Sequence, residues 1–147
     1  MQHNESEYYN MLRVNVLVIV VLLIVATAQA QQEGDWNLYK TTVRVQNILG
    51  GNSVLVVHCH SSDNDLGKHD VIGGAFVEWK FRVDLRETTL FRCTLQWDNV
   101  PEKNVVIYDA KIDNPICRER CWREVRPDGL FFLHEKGSGF WEKRYSW

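Results

Sequence analysis

The sequence has little charge of either sign to spare: 17 Lys and Arg stand against 19 Asp and Glu over 147 residues, a net charge of −2. Such a balance supplies no bulk attraction to nucleic acid or to an anionic membrane. Beyond residue 30 no long segment repeats its apolar residues at the helical period, which excludes a helical bundle. There is no nucleophile elbow, no phosphate-cradling glycine loop and no pair of carboxylates in a distinctive setting, so hydrolase and phosphoryl-transfer chemistry have no foothold. The only Asn-x-Ser/Thr sequence is at Asn4, and a chain that loses its first thirty residues would carry no N-linked glycan.

What is present begins with an apolar run, Val14 to Ala26 (VNVLVIVVLLIVA), followed by Ala28, Gln29 and Ala30. An apolar core of this length with small residues at cleavage spacing reads as a secretory signal peptide cut after Ala30. Glu5 and Glu7 against Arg13 depart from the usual basic start. An uncleaved anchor is the competing reading, but the run falls short of the roughly 20 residues that span a bilayer. The remaining Gln31 to Trp147 is nearly neutral, with 16 basic and 17 acidic side chains. Its composition, 45% hydrophobic and 24% charged over the whole chain, suits one globular domain with one core.

Short β-branched and aromatic segments separated by turn residues predict an all-β sandwich or barrel. The predicted strands are Thr42–Ile48, Ser53–Ser61, Phe76–Val83, Thr88–Trp97, Lys103–Ala110, Pro115–Val125 and Gly129–Glu135. The stretch SDNDLGKHDVIGG, residues 62 to 74, reads as a polar loop. Alternation sends Val77, Trp79, Phe81 and Val83 to the core, and likewise Phe91, Cys93, Leu95 and Trp97. One apolar and one wet face per strand fits antiparallel sheets.

The segment HCHSSDNDLG, from His58 to Gly67, has the residue types of a metal or catalytic site. On a strand, however, His58 and His60 face one way and Cys59 the other, so the three cannot converge on one ion. The only other histidines after the leader are His69 and His134. DNDLG lacks the spacing and the closing glutamate of a calcium loop. Ser61 and Ser62 beside His60 lack any surrounding nucleophile motif. No metal, no cofactor and no catalytic residue is expected.

Cys59, Cys93, Cys117 and Cys121 form an even set in a small secreted chain, which predicts two disulfides and no free thiolate. Four residues of extended strand span about 13 Å, beyond the reach of a disulfide. With Cys117 and Cys121 both on the predicted strand Pro115–Val125, each is therefore expected to pair with one of Cys59 and Cys93. If both face the core, Arg118, Arg120, Trp122, Glu124 and Arg126 face outward. Arginine and tryptophan are enriched in binding hot spots, so Arg118, Arg120 and Trp122 form a candidate recognition surface. Ser61, Asp63, Asn64 and Asp65 of the polar loop join it.

In their order, the leader, VRVQNIL, LVVHCHSSDNDLG, EWKFRV, TTLFRCTLQW, CRERCW and PDGLFF resemble the plant self-incompatibility protein family of small secreted pollen-pistil factors and their homologues. The resemblance covers essentially the whole chain after the leader. It implies an antiparallel β-sandwich, immunoglobulin-like in outline, closed by two disulfides. It also implies an extracellular signalling or recognition ligand, not an enzyme. The partner would be a plasma-membrane receptor or another extracellular protein, with no nucleic acid, no small-molecule substrate, and membrane contact only through a partner. Rejection of self pollen is the specific role known in one branch. A secreted defence protein or inhibitor of a hydrolase is the alternative that such a scaffold would serve equally well. One departure stands out: the family pattern puts its tryptophan one position later, where this chain has Arg123. Either Trp122 points outward, or a bulge re-aims it.

Overall fold

The computed structural model describes residues 4–30, 40–137 and 139–147, the side chains of 4–6 and 26–30 excepted, and the chain divides into two units, 1–38 and 39–147. The first contains helix α1, Asn4–Ala30. Within it Glu7–Val25, 19 residues of mean hydropathy 2.1, is long and apolar enough to cross a membrane, a test that a signal sequence near the N-terminus passes equally. This span exceeds the run counted from Val14, because Tyr8, Tyr9, Met11 and Leu12 extend it by a turn and more. The expected cleavage point after Ala30 borders residues 31–39, which lie outside the described residues.

The second unit is a two-sheet β-sandwich. Its strands are β1 (Lys40–Asn47), β2 (Leu55–His60), β3 (Asp65–Val71), β4 (Phe76–Arg82), β5 (Leu90–Gln96), β6 (Lys103–Asp109), β7 (Arg120–Arg126), β8 (Gly129–Leu133) and β9 (Trp141–Tyr145). One sheet has the order β4-β1-β7-β8-β9, the other β3-β2-β5-β6. All strand pairs are antiparallel except β1 with β7, which run parallel. A parallel neighbour needs a crossover, and here the chain builds β2 to β6 before β7 returns beside β1.

Alternation in each strand fills the space between the sheets. Val43, Val45, Leu55, Val57, Leu95, Ile107, Val125 and Leu130 are fully buried. Phe81 stacks against Phe91 at 4.7 Å and Tyr108 at 5.0 Å between centroids, within the range of favourable aromatic pairs. Val77, Trp79, Phe81 and Val83 face inward as expected but remain half-buried, because β4 is an edge strand with one neighbour. Asn47 is buried without an orphaned amide: Nδ2 donates to the carbonyls of Ser53 and Val71, and Oδ1 accepts from the Leu49 N–H at 3.0 Å. These bonds tie the end of β1 to the opposite sheet.

The structure corrects the sequence reading in three places. The bridges are Cys59–Cys93 and Cys117–Cys121, not the crossed pairings. The expected strand Pro115–Val125 starts only at Arg120. Before it, α2 (Ala110–Asp113) and a turn, with the Ile116 and Cys117 N–H groups both donating to the Asp113 carbonyl, fold the chain back. The Cα atoms of Cys117 and Cys121 thereby come to 5.2 Å, well inside disulfide range. Cys59 and Cys93 are directly opposed on β2 and β5. Second, the polar segment 62–74 contains β3. Third, β9 was not anticipated. Both added strands are sheet edges, and both carry charged residues, the pattern by which edges avoid pairing with other chains.

Candidate recognition surface

The outer face of the five-stranded sheet is built by register. Arg44 on β1 lies opposite Glu78 on β4 and beside Trp122 on β7. Its guanidinium sits 3.7 Å from the Phe76 ring centroid and 4.8 Å from that of Trp122, and bonds Glu78 Oε2 at 2.9 and 3.1 Å. Arg120 continues the row, 5.8 Å from the Trp122 ring. Farther across, the Arg126 guanidinium lies 4.1 Å from Phe131 and 5.3 Å from Trp141, with Lys143 Nζ 5.2 Å from Phe131. Each cation over a ring face gains up to about 1 kcal/mol at an exposed site, so the face is a ladder of alternating cations and aromatic rings held before any partner arrives.

Carboxylates around the rings fix the cations. Arg120 Nε donates to Glu135 Oε1 at 2.7 Å, and the Arg120 backbone N–H donates to Oε2. Burial alone would push the Glu135 carboxyl up, but Arg120 holds it below the usual range, and the same contact raises the Arg120 guanidinium. Arg126 Nε donates to Glu124 Oε2 at 2.7 Å, and Lys143 pairs with Asp128.

Beneath this face lies a buried charge cluster. β7 keeps its register against β1 and β8, so Trp122 points outward and Arg123 points in. Arg123 is 0% exposed; Nη2 lies 3.3 Å from Asp113 Oδ1, and Nε and Nη1 donate to the carbonyls of Ile107 and Trp122. Its guanidinium covers the Phe132 ring at 4.1 Å. Asp113 also accepts from Arg144 Nη1 at 2.8 Å and from the Asp109 N–H. Burial pushes the Arg123 guanidinium down to about 10, with Asp113 acting in the opposite direction.

The sequence-derived site divides in two. Trp122 and Arg120 lie on the ladder together with Glu124 and Arg126. Arg118 is exposed but precedes β7, in the turn, where its carbonyl accepts from Thr41 Oγ1. Ser61, Asp63 and Asn64 line a cleft of about 560 Å3 bordered by β2, β4 and β5. Asp65 lies on β3, accepting from His58 Nε2 and the Gly67 N–H, and those bonds hold its carboxyl low. Arg44, Phe76, Phe131 and Trp141 were missed. The alternation of β1 turns Arg44 outward, but nothing in one strand's pattern reveals that β7 lies beside it.

Residues 42–147 match the family described as plant self-incompatibility protein S1. The chain is 40% identical to S-protein homolog 5 of Arabidopsis thaliana over 100 residues, covering 68% of this chain and 76% of that one. It is 37% identical to self-incompatibility protein S1 of Papaver rhoeas over 90 residues, 60% of this chain and 65% of the relative. S-protein homolog 24 of Arabidopsis thaliana is 31% identical over 130 residues, 88% of this chain and 85% of the relative. A solved structure of SPH (self-incompatibility protein homologue) proteins, described as small, highly stable and secreted, superposes with a TM-score of 0.56 at 20% identity. The superposition covers 74% of this chain and 96% of that one, and at this identity the likeness shows the fold.

Proposed function

The chain belongs to the plant self-incompatibility protein S1 family, and from that premise we propose that it is a secreted protein ligand read at a cell surface by a protein receptor. In this reading α1 directs export, cleavage follows Ala30, and residues 31–147 act as one extracellular β-sandwich domain without catalysis. Rejection of self pollen, the process in the name of the Papaver relative, is the finer form of the proposal.

The observation that supports it is the cation–aromatic ladder of Phe76, Arg44, Trp122 and Arg120. Hot spots are richest in tryptophan and arginine, and side chains already held by Glu78 and Glu135 lose less freedom when a partner docks. The surface presents both residue types in one row on rigid strands.

The test uses protein secreted by a plant or yeast host, whose N-terminus should be Gln31 by mass analysis. Arg44→Ala, Arg120→Ala and Trp122→Ala are combined, and folding is checked by thermal melting. Binding of labelled protein to stigma-matched pollen and to root cells is then measured. The triple variant should bind at least about tenfold more weakly, since each truncation at a hot spot costs 1 kcal/mol or more. Unchanged binding by a folded variant would remove this face from the proposal, and retention of the intact leader on exported protein would replace secretion by anchoring.

A further inference from the structure

The two sheets end in four edge strands, and three of these, β3, β6 and β9, lose register against their single neighbour. In each case the extra residue sits in the edge strand itself, between Asp65 and Lys68, between Val106 and Tyr108, and between Lys143 and Tyr145. A bulge twists an edge away and keeps it from pairing with another chain. β6 is sealed a second time, because its Val106 N–H donates to the Tyr145 hydroxyl. β4 has neither device. Its ladder with β1 runs unbroken from Phe76 to Arg82, and among the described residues no group outside β1 bonds its backbone.

The groups that β4 leaves open follow from the pairing of β1. The Asn47 N–H donates to the Ala75 carbonyl, whereas the Thr42 and Ile48 N–H groups donate to the carbonyls of Glu119 and Val125 on the β7 side. Odd-numbered residues of β1 therefore bond toward β4, and their partners there are Val77, Trp79 and Phe81. Phe76, Glu78, Lys80 and Arg82 turn their N–H and carbonyl groups the other way, along the open edge, since the bonding direction alternates in an antiparallel strand. The same four side chains are exposed, and Val77, Trp79 and Phe81 between them are half-buried.

An open edge of this kind is a template for a further strand, and the residues of this one are complementary to themselves. When it lies antiparallel to a second copy and the two-fold axis passes at Trp79, Glu78 stands opposite Lys80 and Phe76 opposite Arg82, each pair occurring twice. On the inner side Trp79 then meets Trp79 and Val77 meets Phe81, so apolar faces apolar. The neighbouring registers oppose Glu78 to Glu78 or Lys80 to Lys80, and like charges directly opposed destabilise a strand pair. Glu78 uses only Oε2 for Arg44. Lys80 and Arg82 hold no carboxylate among the described residues.

We propose that β4 is a dimer edge, at which two copies of the extracellular domain pair antiparallel through Phe76–Arg82 and join their five-stranded sheets about Trp79. The contact is isologous and closes at two copies. Two-fold pairing of strands keeps corresponding faces on one side, so both cation–aromatic ladders are presented on the same face of one continuous sheet. The dimer stands whether or not the ladder binds a receptor.

The test is sedimentation equilibrium of the secreted protein from micromolar to millimolar concentration, with amide hydrogen exchange at both ends of that range. The mass should double as concentration rises. In the dimer the N–H groups of Phe76, Glu78, Lys80 and Arg82 should gain protection, while those of Val77, Trp79 and Phe81, already bonded to β1, should change little. Lys80→Glu should weaken dimerisation about tenfold or more, because both Glu78–Lys80 pairs become repulsive. Glu78→Lys should do the same, and mixing the two variants should restore dimers between unlike chains, since each glutamate again faces a lysine. Melting temperatures check that each variant folds. Lys80 has no partner to lose, so Lys80→Glu decides the question even if Glu78→Lys, which frees Arg44, does not fold. The proposal is overturned by a monomer at millimolar concentration, by a dimer that leaves the Glu78 and Lys80 amides unprotected, or by a Lys80→Glu dimer as tight as the native one.

Discussion

Asp113→Asn isolates the charge that makes a buried arginine tolerable in this core. Arg123 is 0% exposed, Asp113 is 1% exposed, and Arg144, the second cation on the same carboxylate, is 19% exposed. The asparagine keeps the shape and one acceptor for the Asp109 N–H but removes the negative charge between two guanidiniums. Breaking a buried ion pair by removing one partner costs about 3–5 kcal/mol. The bonds from Arg123 to the Ile107 and Trp122 carbonyls and its contact with Phe132 survive, which places the expectation at the lower end, about 3 kcal/mol. With a urea m-value of about 2 kcal/mol per M, the unfolding midpoint should fall by about 1.5 M at unchanged slope. Tryptophan fluorescence with both disulfides intact reads the transition. Adding Arg123→Met to Asp113→Asn should recover at least half of the loss, because an apolar side chain needs no counter-ion. A loss below about 1 kcal/mol for Asp113→Asn alone would refute the reasoning, since the carboxylate would then not be compensating a buried charge.

The bridges should contribute unequally. Cys59–Cys93 closes a separation of 34 residues and Cys117–Cys121 one of 4, so loop entropy assigns about 4 and about 2 kcal/mol; paired Cys→Ala variants compared by denaturant midpoint would contradict this if the short bridge mattered more. Asp65, Asp84, Asp128, Glu135 and Glu142 all have carboxyls held below their ordinary values. A folded pKa below the unfolded one gives stability that is present above the ordinary carboxylate range and lost as pH falls through the lowered values. Melting temperature should therefore be flat near neutrality and decline below about pH 4, and a rise on acidification would overturn it. At Gly129, an added Cβ would stand 2.2 Å from the Tyr145 carbonyl oxygen. Gly129→Ala should push β9 away from β8 and lower stability by about 1–3 kcal/mol, with increased amide exchange in Trp141–Tyr145 as the diagnostic.

The apolar run near the N-terminus, the approximate positions of seven of the nine strands among the described residues and the inward sets of β4 and β5 were legible in the chain, because period-two alternation is a local property. The outward turn of Trp122 was legible as one of two alternatives for the same reason: one residue reverses a strand face. β3 and β9 were not legible. An edge strand is held by backbone bonds on one side and packs little, so DLGKHDV and WEKRY carry no alternating apolar signal. The cysteine pairing failed because the reading extended β7 back to Pro115, whereas the turn that closes on the Asp113 carbonyl brings Cys117 and Cys121 together.

The remaining features belong to strand order, which no single segment encodes. Arg44 meets Trp122 because β7 returns parallel beside β1, 78 positions later in sequence. The cleft of about 560 Å3 exists because the ends of β2 and β5 from one sheet and of β4 from the other meet there. Arg123 enters the core because Asp113 and Arg144, from two distant segments, supply the charge partners that make its burial possible. Local alternation decides which way a side chain points; what it then touches depends on long-range closure of the two sheets, and the cation–aromatic ladder is built from those contacts.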